Sequence, residues 1–193
     1  MWEEYYTLLT NTFPNLPPDF SNRFREVIPK IKPPYDFFFH NEYSTDNLLQ
    51  GDLIGPIQFY ENENEQYKVY RTDAIVISNT CDLVRKRRIL LCPAVELDEG
   101  AIGNSNYLEN IQKNKIYEKL YLPGSSDQPQ YIIDLNRMFS VNRKYIENLR
   151  RKDEIKRIAS LSQEGYFFFG LKITVYLLRP ETDEVTRHSN KTK

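Results

Sequence analysis

The stretch that decides the fold is Ala74-Ile75-Val76-Ile77-Ser78-Asn79. Its first four residues form an unbroken apolar run, and a second such run follows at residues 89–92. Short continuous apolar runs are typical of strands that are buried on both faces of a sheet. The two runs therefore predict central strands, and Cys92 in the second run is expected in the hydrophobic core.

Hydrophobic spacing outside this centre predicts further short strands and a small number of helices. Residues 61–65 are polar and fall between two strand-like segments, which is the pattern of a hairpin. Many short strands with one or two inserted helices predict a mainly β (α+β) fold, in the form of a small, twisted β-barrel. The other predicted strands are 51–59, 66–70, 131–135 and 165–178, and the predicted helices of this region are 108–120 and 142–158.

Residues 1–50 differ from the rest of the chain because they are rich in proline. Two short helices are predicted at 2–10 and 19–27, and prolines end both, since proline lacks an N–H and disfavours helix in the residue before it. The segment is expected to form an arm that covers the barrel, and wrapping a partner is the alternative. The predicted organisation is an N-terminal Pro-rich helical arm (1–50), a barrel with helical insertions (51–178) and a polar tail or linker (179–193).

The charge balance and composition exclude several classes of protein. The 193 residues include 26 Lys and Arg against 27 Asp and Glu, a formal net charge of −1, so the chain has no overall basic field for nucleic acid. No apolar run approaches the ~20 residues of a membrane span, and the acidic start does not resemble a signal peptide. Two cysteines make no disulfide framework, which predicts a reducing, cytoplasmic location.

Metal and cofactor sites are not expected. The two histidines, His40 and His188, are far apart in the sequence and have no cluster of ligand side chains at metal-binding spacing. The 7 glycines do not approach the spacing of a phosphate-binding loop. The sequence therefore predicts neither a metal nor a cofactor.

Basic residues are concentrated in two groups. The run Arg85-Lys86-Arg87-Arg88 lies between two predicted strands, and Arg143 and Lys144 belong to a second group in the helical stretch 142–158. Such cations neutralise phosphate without reading base sequence, but a short basic turn is equally suited to an acidic protein surface. The charge pattern alone leaves RNA and protein open as partners.

Two aromatic clusters, at residues 37–39 and 166–169, are candidate sites for a partner or parts of the core. Exposed rings could stack on the bases of single-stranded nucleic acid. In a strand, alternate residues face opposite sides, so each cluster must place at least one ring toward the core. Core packing is the preferred interpretation, and the outward rings are candidates for an interface.

Cys81-Asp82 is a candidate reactive site. A thiol at a strand end beside the cations 85–88 could act as a nucleophile, with Asp82 or His40 as the base. The alternative is that Cys81 is a small buried hydrophobe and that Asp82 caps a turn. The alternative is preferred, and a Cys81-dependent hydrolase is kept as a third functional hypothesis.

Five short segments resemble the MazF/PemK toxin family. Gly51-Asp52-Leu53-Ile54 resembles the first strand of that family, residues 74–79 resemble its central strand ending in Ser-Asn, and Leu90-Leu91-Cys92-Pro93 resembles the strand that follows. The match covers most of 51–178 and implies an SH3-like barrel. The two later segments are Ile133-Asp134-Leu135-Asn136-Arg137 and Ile158-Ala159-Ser160-Leu161-Ser162.

The resemblance breaks at the residues on which MazF-like ribonucleases rely. Aligning the segments places Thr72 at the position of the family's arginine, Asp73 at that of its proline, and Val95 at that of its Thr or Ser. Thr72 cannot supply a permanent cation to a phosphate, and Val95 has no hydroxyl. Arg71 is one residue off, and in a strand that shift turns its side chain to the other face.

The resemblance therefore implies a non-catalytic MazF-like barrel that binds and sequesters a protein partner. MazF-like toxins dimerise and are held by an extended partner peptide, so the expected partner is a sigma factor, a protease or an antitoxin-like peptide, and a homodimer is a further expectation. The chain is compatible with the MazF-homologous anti-sigma subunits of CRISPR-linked antiviral defence systems. Those systems pair a cyclic-nucleotide-activated SAVED–Lon protease with a sigma factor.

The alternative is a sequence-specific endoribonuclease toxin of a toxin–antitoxin system, with RNA as its substrate. Its cation would be Arg71, Arg85 or Arg137, and its hydroxyl would be Ser78 or Thr80. The residues predicted to bind a partner or a phosphate under either hypothesis are Arg71, Arg85, Lys86, Arg87, Arg88, Arg137, Arg143 and Lys144.

Overall fold

The computed structural model describes residues 45–177 except Asn64 and 125–127, together with the isolated positions Asn22 and Glu26. Both isolated positions are helical and exposed, and they fall within the helix predicted at 19–27. The rest of the predicted arm before residue 45, including the helix at 2–10 and the aromatic cluster at 37–39, lies outside the described residues. The predicted tail at 179–193 lies outside them as well.

The described part of the chain is mainly antiparallel β-sheet with a few helices, which confirms the mainly β (α+β) class. Two short 3-10 helices lie at Glu99–Ala101 and Leu135–Arg137. In chain order, the other elements are β1 (Leu53–Glu63), β2 (Gln66–Val76), α1 (Thr80–Arg85), β3 (Arg88–Glu96), α2 (Ser105–Gln112), β4 (Lys119–Leu122), β5 (Tyr131–Asp134), β6 (Phe139–Asn142), α3 (Arg143–Arg151), β7 (Lys156–Ala159) and α4 (Gln163–Leu177).

Strand β3 organises the sheet, whose path is β4-β5-β3-β2-β1-β7. One edge of β3 pairs with β2, where Ile75 lies opposite Cys92. The other edge is shared, because β6 pairs with the first half of β3 and β5 pairs with the second half. This arrangement is consistent with the SH3-like barrel that the resemblance implies.

The sheet separates two hydrophobic clusters, because successive side chains of a strand face opposite sides. Ile75 of β2 and Cys92 of β3 belong to one cluster, which α4 covers with Phe168 and Phe169. Val76 belongs to the other cluster, to which α1 and α3 each contribute a side chain. Burial on both faces explains why the central strands carry continuous apolar runs. Cys92 is fully buried, as predicted.

The final strand predicted at 165–178 is wrong, because residues 163–177 form the helix α4. Phe167, Phe168 and Phe169 are all at least nine-tenths buried, which an alternating strand at the sheet surface would not allow. In a long apolar run, the hydrophobic pattern does not distinguish a helix from a strand, and the length of the run is then the better guide. The sequence held a helix-start signal in Ser162, whose hydroxyl accepts a hydrogen bond from the Gly165 N–H at 3.1 Å.

Both predicted central helices are shorter than expected, because each ends at a residue with positive φ. Helix α2 stops before Asn114 (φ 54°), and the rest of 108–120 leads into β4. Helix α3 stops before Asp153 (φ 55°), and the rest of 142–158 leads into β7. Asn and Asp tolerate this left-handed conformation and so end helices at this position.

The β1–β2 hairpin is longer than predicted, because residues 61–63 belong to β1 and β2 continues without a break to Val76. Within the described residues, the segment from Gln58 to Arg71 pairs only with itself, since β7 and β3 pair with the hairpin nearer its base. Tyr60, Tyr67 and Val69 on this ribbon are 70%, 77% and 56% exposed.

A buried ion pair joins the start of β1 to β7. Arg157 Nε lies 2.8 Å from Asp52 Oδ2, and the Asp52 side chain has no exposed surface. The Ser160 hydroxyl donates to Asp52 Oδ1, and the Leu49 N–H donates to Oδ2 at 2.8 Å. Burial raises the pKa of Asp52, and the bonds from Ser160, Leu49 and Arg157 oppose that rise.

The same arginine fastens the segment before β1. Arg157 Nη1 donates to the Thr45 carbonyl oxygen at 2.9 Å, and Nη2 donates to that of Asn47. Arg150 Nη2 donates to the Asp46 carbonyl oxygen at 2.6 Å. Two cations of the basic stretch 142–158 therefore hold the fold together and are engaged by the chain itself.

None of the helices within the described residues is long and apolar enough to cross a membrane.

Candidate partner-binding surfaces

The two positions that the resemblance identifies as catalytic lie close together on β2 and β3. The Thr72 hydroxyl donates a hydrogen bond to the carbonyl oxygen of Ala94 at 2.7 Å, immediately before Val95. Val95 is 45% exposed and presents only methyl groups. At this place in the sheet, the chain thus offers an engaged hydroxyl and an aliphatic side chain, and neither is a cation.

Asp73 follows Thr72 on β2, and its side chain faces the other side of the sheet, toward Tyr131 of the cluster that α4 covers. Its Oδ2 accepts a hydrogen bond from the Tyr131 hydroxyl at 2.8 Å. Burial raises the pKa of Asp73, and the nearby charge of Glu96 raises it further, whereas the Tyr131 hydrogen bond lowers it. Burial and the Asp73 carboxylate also raise the pKa of the Tyr131 phenol.

Asp73→Asn should make the protein more stable than the wild type by an amount that grows with pH. Because burial raises the pKa of Asp73 above 3.8, the folded chain holds this proton more tightly than the unfolded chain does. Stability therefore falls as pH rises from that value through the folded-state pKa. Asparagine keeps an oxygen for the Tyr131 hydroxyl and removes the titration. Urea unfolding between about pH 3 and pH 7 measures the difference.

Tyr131→Phe should change the pH dependence of stability in the opposite direction to Asp73→Asn. It removes the hydrogen bond that lowers the pKa of Asp73, so the pH-dependent loss of stability should extend to higher pH. Parallel pH curves for wild type and Asp73→Asn would contradict this account of Asp73.

Arg137 is held in a cluster with two side chains of the hairpin. Its Nη2 lies 2.7 Å from Glu61 Oε2 and also donates to the Tyr70 hydroxyl. Its guanidinium carbon is 5.2 Å from the centre of the Tyr70 ring, within the range of a cation–π contact. Arg71 is exposed on the ribbon, and its Nη2 is 3.4 Å from the Pro56 carbonyl oxygen. Arg137 and Arg71, both predicted to bind a partner or a phosphate, therefore contact different groups and do not form one cluster.

A groove of about 330 Å³ lies beside Val95, and we call it the Val95 groove. It forms where β6 has ended and β5 takes over the edge of β3. The sequence alone does not reveal this groove, because its walls come from segments far apart in the chain. The groove is lined by Pro93, Val95, Glu96, Leu97, Asp98, Ile102, Lys119, Ile132, Asp134 and Arg137.

The two predicted basic groups meet on one surface, which we call the basic surface. The first group spans the end of α1 and the start of β3, and the second begins α3. Arg88 lies opposite Asn142 in the β3–β6 pair, and the Arg143 N–H donates to the Arg87 carbonyl oxygen at 3.0 Å. The basic surface consists of Arg85, Lys86, Arg87, Arg88, Arg143 and Lys144.

Hydrogen bonds hold part of the basic surface in place. Arg143 Nε donates to the Lys86 carbonyl oxygen at 3.0 Å, and its Nη1 pairs with Glu147. Arg88 donates to the Ser140 hydroxyl from Nε at 2.8 Å and to the Ser140 carbonyl oxygen from Nη2 at 2.7 Å. The positive end of the α3 dipole points to the same place.

The other cations of the basic surface are exposed to solvent. They form no ion pair with any residue that the structure describes, which leaves their charge available to a partner. They are Arg85, Lys86, Arg87 and Lys144.

Exposed apolar side chains flank these cations. Val84 precedes Arg85 and is 56% exposed, and Tyr145 follows Lys144 and is 45% exposed. Leu90, two residues after Arg88 on the same face of β3, is 41% exposed. The basic surface and its neighbours thus combine charge with apolar area.

Cys81 is exposed in α1, whereas the preferred sequence interpretation expected it to be buried. The Asn79 side chain caps this helix by accepting the Cys81 N–H at 2.9 Å, and Asp82 lies in the first turn. Both histidines are outside the described residues, so the hypothesis of a Cys81-dependent hydrolase stays a prediction.

Over the described ranges, no group of three or more His, Cys, Asp or Glu is placed to hold a metal ion.

The hydroxyls considered for the ribonuclease alternative are both engaged. Ser78 Oγ accepts the Leu90 N–H at 2.8 Å, and Thr80 Oγ1 accepts the Gln50 N–H at 3.0 Å. Each therefore joins two segments of the fold.

The chain is similar to known proteins in structure. No protein-family profile and no curated protein sequence matches the chain. Among solved structures, a chain of the MazE–MazF complex (Form-II) from Deinococcus radiodurans is similar to it, with 12% identity and a TM-score of 0.38. The alignment covers 71% of this chain and 99% of that chain. A likeness at this level carries no conclusion about function.

Proposed function

We propose that this chain binds and holds an acidic protein partner through the basic surface, and that it does not cleave RNA. The observation that carries the proposal is the meeting of two basic groups, far apart in sequence, on one hydrogen-bonded surface with exposed apolar neighbours. Arg143 and Arg88 are fixed by backbone and hydroxyl acceptors, so the surface is arranged before a partner arrives. Arrangement before binding reduces the entropy that association costs.

The apolar side chains favour a protein over a nucleic acid. Val84, Leu90 and Tyr145 are exposed beside the cations. A phosphate backbone gains from the cations alone, whereas a protein partner can also bury aliphatic and aromatic area at the centre of an interface. Tyrosine is among the residues that contribute most to such interfaces. The chain's balance of 26 basic against 27 acidic residues agrees with a local, patchy surface.

The groups near Val95 support binding without cleavage. Thr72 and Val95 supply no cation for the charge that develops on a phosphate during transfer. Arg137 is engaged by Glu61 and Tyr70. The proposed partner is a prokaryotic regulator such as a sigma factor, which an anti-sigma-like protein of a stress or antiviral defence pathway would sequester.

Reversing charge on the basic surface should abolish capture of the partner. The tagged chain, purified from its native host after nuclease treatment, should bring down one protein in stoichiometric amount, identified by mass spectrometry. Arg85→Glu/Arg87→Glu/Lys144→Glu should reduce that recovery at least about 100-fold, because like charges across an interface cost several kcal/mol. Salt should weaken the wild-type complex as well.

A control variant makes the same change of net charge on other exposed positions and should retain the partner. It is Lys115→Glu/Lys152→Glu/Lys156→Glu. Recovery of RNA without a protein, or cleavage of single-stranded RNA by the purified chain, would overturn the proposal in favour of the ribonuclease alternative. Equal loss in both triple variants would show that the basic surface has no specific role.

A further inference from the structure

We propose that the Val95 groove is a second docking site, for a protein segment that carries an aliphatic side chain flanked by lysine or arginine. The groove lies on the face of the sheet opposite α4, beside the ends of β5 and β6. This inference goes beyond the proposed function and does not depend on it, since the groove and the basic surface share no residue.

The floor of the groove is apolar. Pro93 and Val95 come from β3, Ile132 comes from β5, and Ile102 comes from the segment before α2. Val95 is 45% exposed, so its methyl groups would gain from contact with an apolar side chain. A volume of about 330 Å³ is at the lower end of the ~300–1,000 Å³ range of ligand sites. It suits a side chain of a peptide better than a large ligand.

The rim of the groove carries an excess of negative charge. Its two cations are already paired, Lys119 with Asp134 at 2.6 Å and Arg137 with Glu61 at 2.7 Å. Glu96 and Asp98 are exposed on the same rim. Neither of these two carboxylates forms an ion pair with any residue within the described ranges.

This charge selects the class of ligand. The carboxylates Glu96 and Asp98 attract lysine or arginine on either side of an apolar anchor. A polyanion such as RNA would be repelled from the same rim. The ligand is therefore opposite in charge to the one that the basic surface fits, and the chain presents two docking sites of opposite sign.

Two matched peptides test the inference on the full chain. The probes are acetyl-Gly-Lys-Leu-Lys-Gly-amide and acetyl-Gly-Glu-Leu-Glu-Gly-amide, titrated into methyl-labelled protein and followed by NMR. The lysine peptide should shift the methyl signals of Val95, Ile102 and Ile132 and leave that of Ile146 in α3 unchanged. The glutamate peptide should shift none of them. Raising the salt concentration should weaken the binding.

A neutralised rim tests the role of charge without disturbing the fold. In Glu96→Gln/Asp98→Asn, the affinity for the lysine peptide should fall about tenfold. The asparagine can still cap the turn, because its side-chain oxygen can accept the Gly100 N–H as Asp98 does. The control Glu109→Gln/Asp153→Asn removes the same charge from exposed positions outside the groove and should bind the peptide like the wild type.

Three outcomes would overturn the inference. The first is equal binding of the glutamate peptide, and the second is absence of lysine-peptide binding at millimolar concentration. The third is a shift of the Val95 methyl signals by single-stranded RNA, which would make the groove a nucleic-acid site.

Discussion

Arg157→Ala should lower the free energy of unfolding by about 3–5 kcal/mol, because it leaves the buried Asp52 carboxylate without its cation. The variant also loses the hydrogen bonds that Arg157 donates to the carbonyl oxygens of Thr45 and Asn47. Urea unfolding at neutral pH measures the loss. The penalty should shrink as pH falls, since burial raises the pKa of Asp52 and its protonated form needs no cation.

Two further variants separate the ion pair from general damage. Arg151→Ala removes an exposed arginine of the same region and should change the stability by no more than about 0.5 kcal/mol. Asp52→Asn/Arg157→Ala should be more stable than Arg157→Ala alone, because no unpaired charge is left in the interior. If the double variant is the less stable of the two, the buried charge is not the source of the loss.

Phe169→Ala should lower the free energy of unfolding by about 3–5 kcal/mol. Phe169 is fully buried in the cluster between the sheet and α4, together with Leu53 and Ile75. Removing its ring loses apolar burial and leaves a cavity that the surrounding strands cannot close. Chemical unfolding followed by circular dichroism measures the change.

Leu177→Ala is the control on the same helix, because Leu177 is 67% exposed and its truncation should cost little. Similar losses for Phe169→Ala and Leu177→Ala would mean that α4 does not pack on the sheet through its phenylalanines.

The centre of the fold could be predicted from the sequence, because strands that are buried on both faces have continuous apolar sequences. Residues 74–77 and 89–92 are such runs; 74–76 end the central strand β2, and 89–92 lie in the central strand β3. The same rule failed at α4, whose apolar residues surround the helix and so conceal its period. The positive φ of Asn114 and Asp153, which ends two helices early, is a local property that hydrophobic spacing does not carry.

The candidate surfaces could be predicted only in part. The basic run 85–88 and the cations that begin α3 were visible as separate groups, but their meeting depends on the β3–β6 pairing. The Val95 groove combines residues from β3, β4 and β5, and no spacing rule relates segments so far apart. The use of Arg150 and Arg157 to hold residues 45–47 was likewise hidden, because a sequence does not show which cations contact the chain's own carbonyl groups.

The length of the β1–β2 hairpin has a consequence for the motions of the molecule. Within the described residues, the backbone of the ribbon from Gln58 to Arg71 forms strand pairs only with itself, and Arg137 anchors it through Glu61 and Tyr70. The tip of the hairpin beyond these contacts can therefore open without breaking the rest of the sheet. The amide hydrogens of this tip should exchange with solvent through local fluctuations. Those of Ala74 to Val76 should exchange only through global unfolding. The protein therefore combines a rigid centre with a hairpin tip that opens on a shorter timescale, and the exposed Tyr67 lies on this tip.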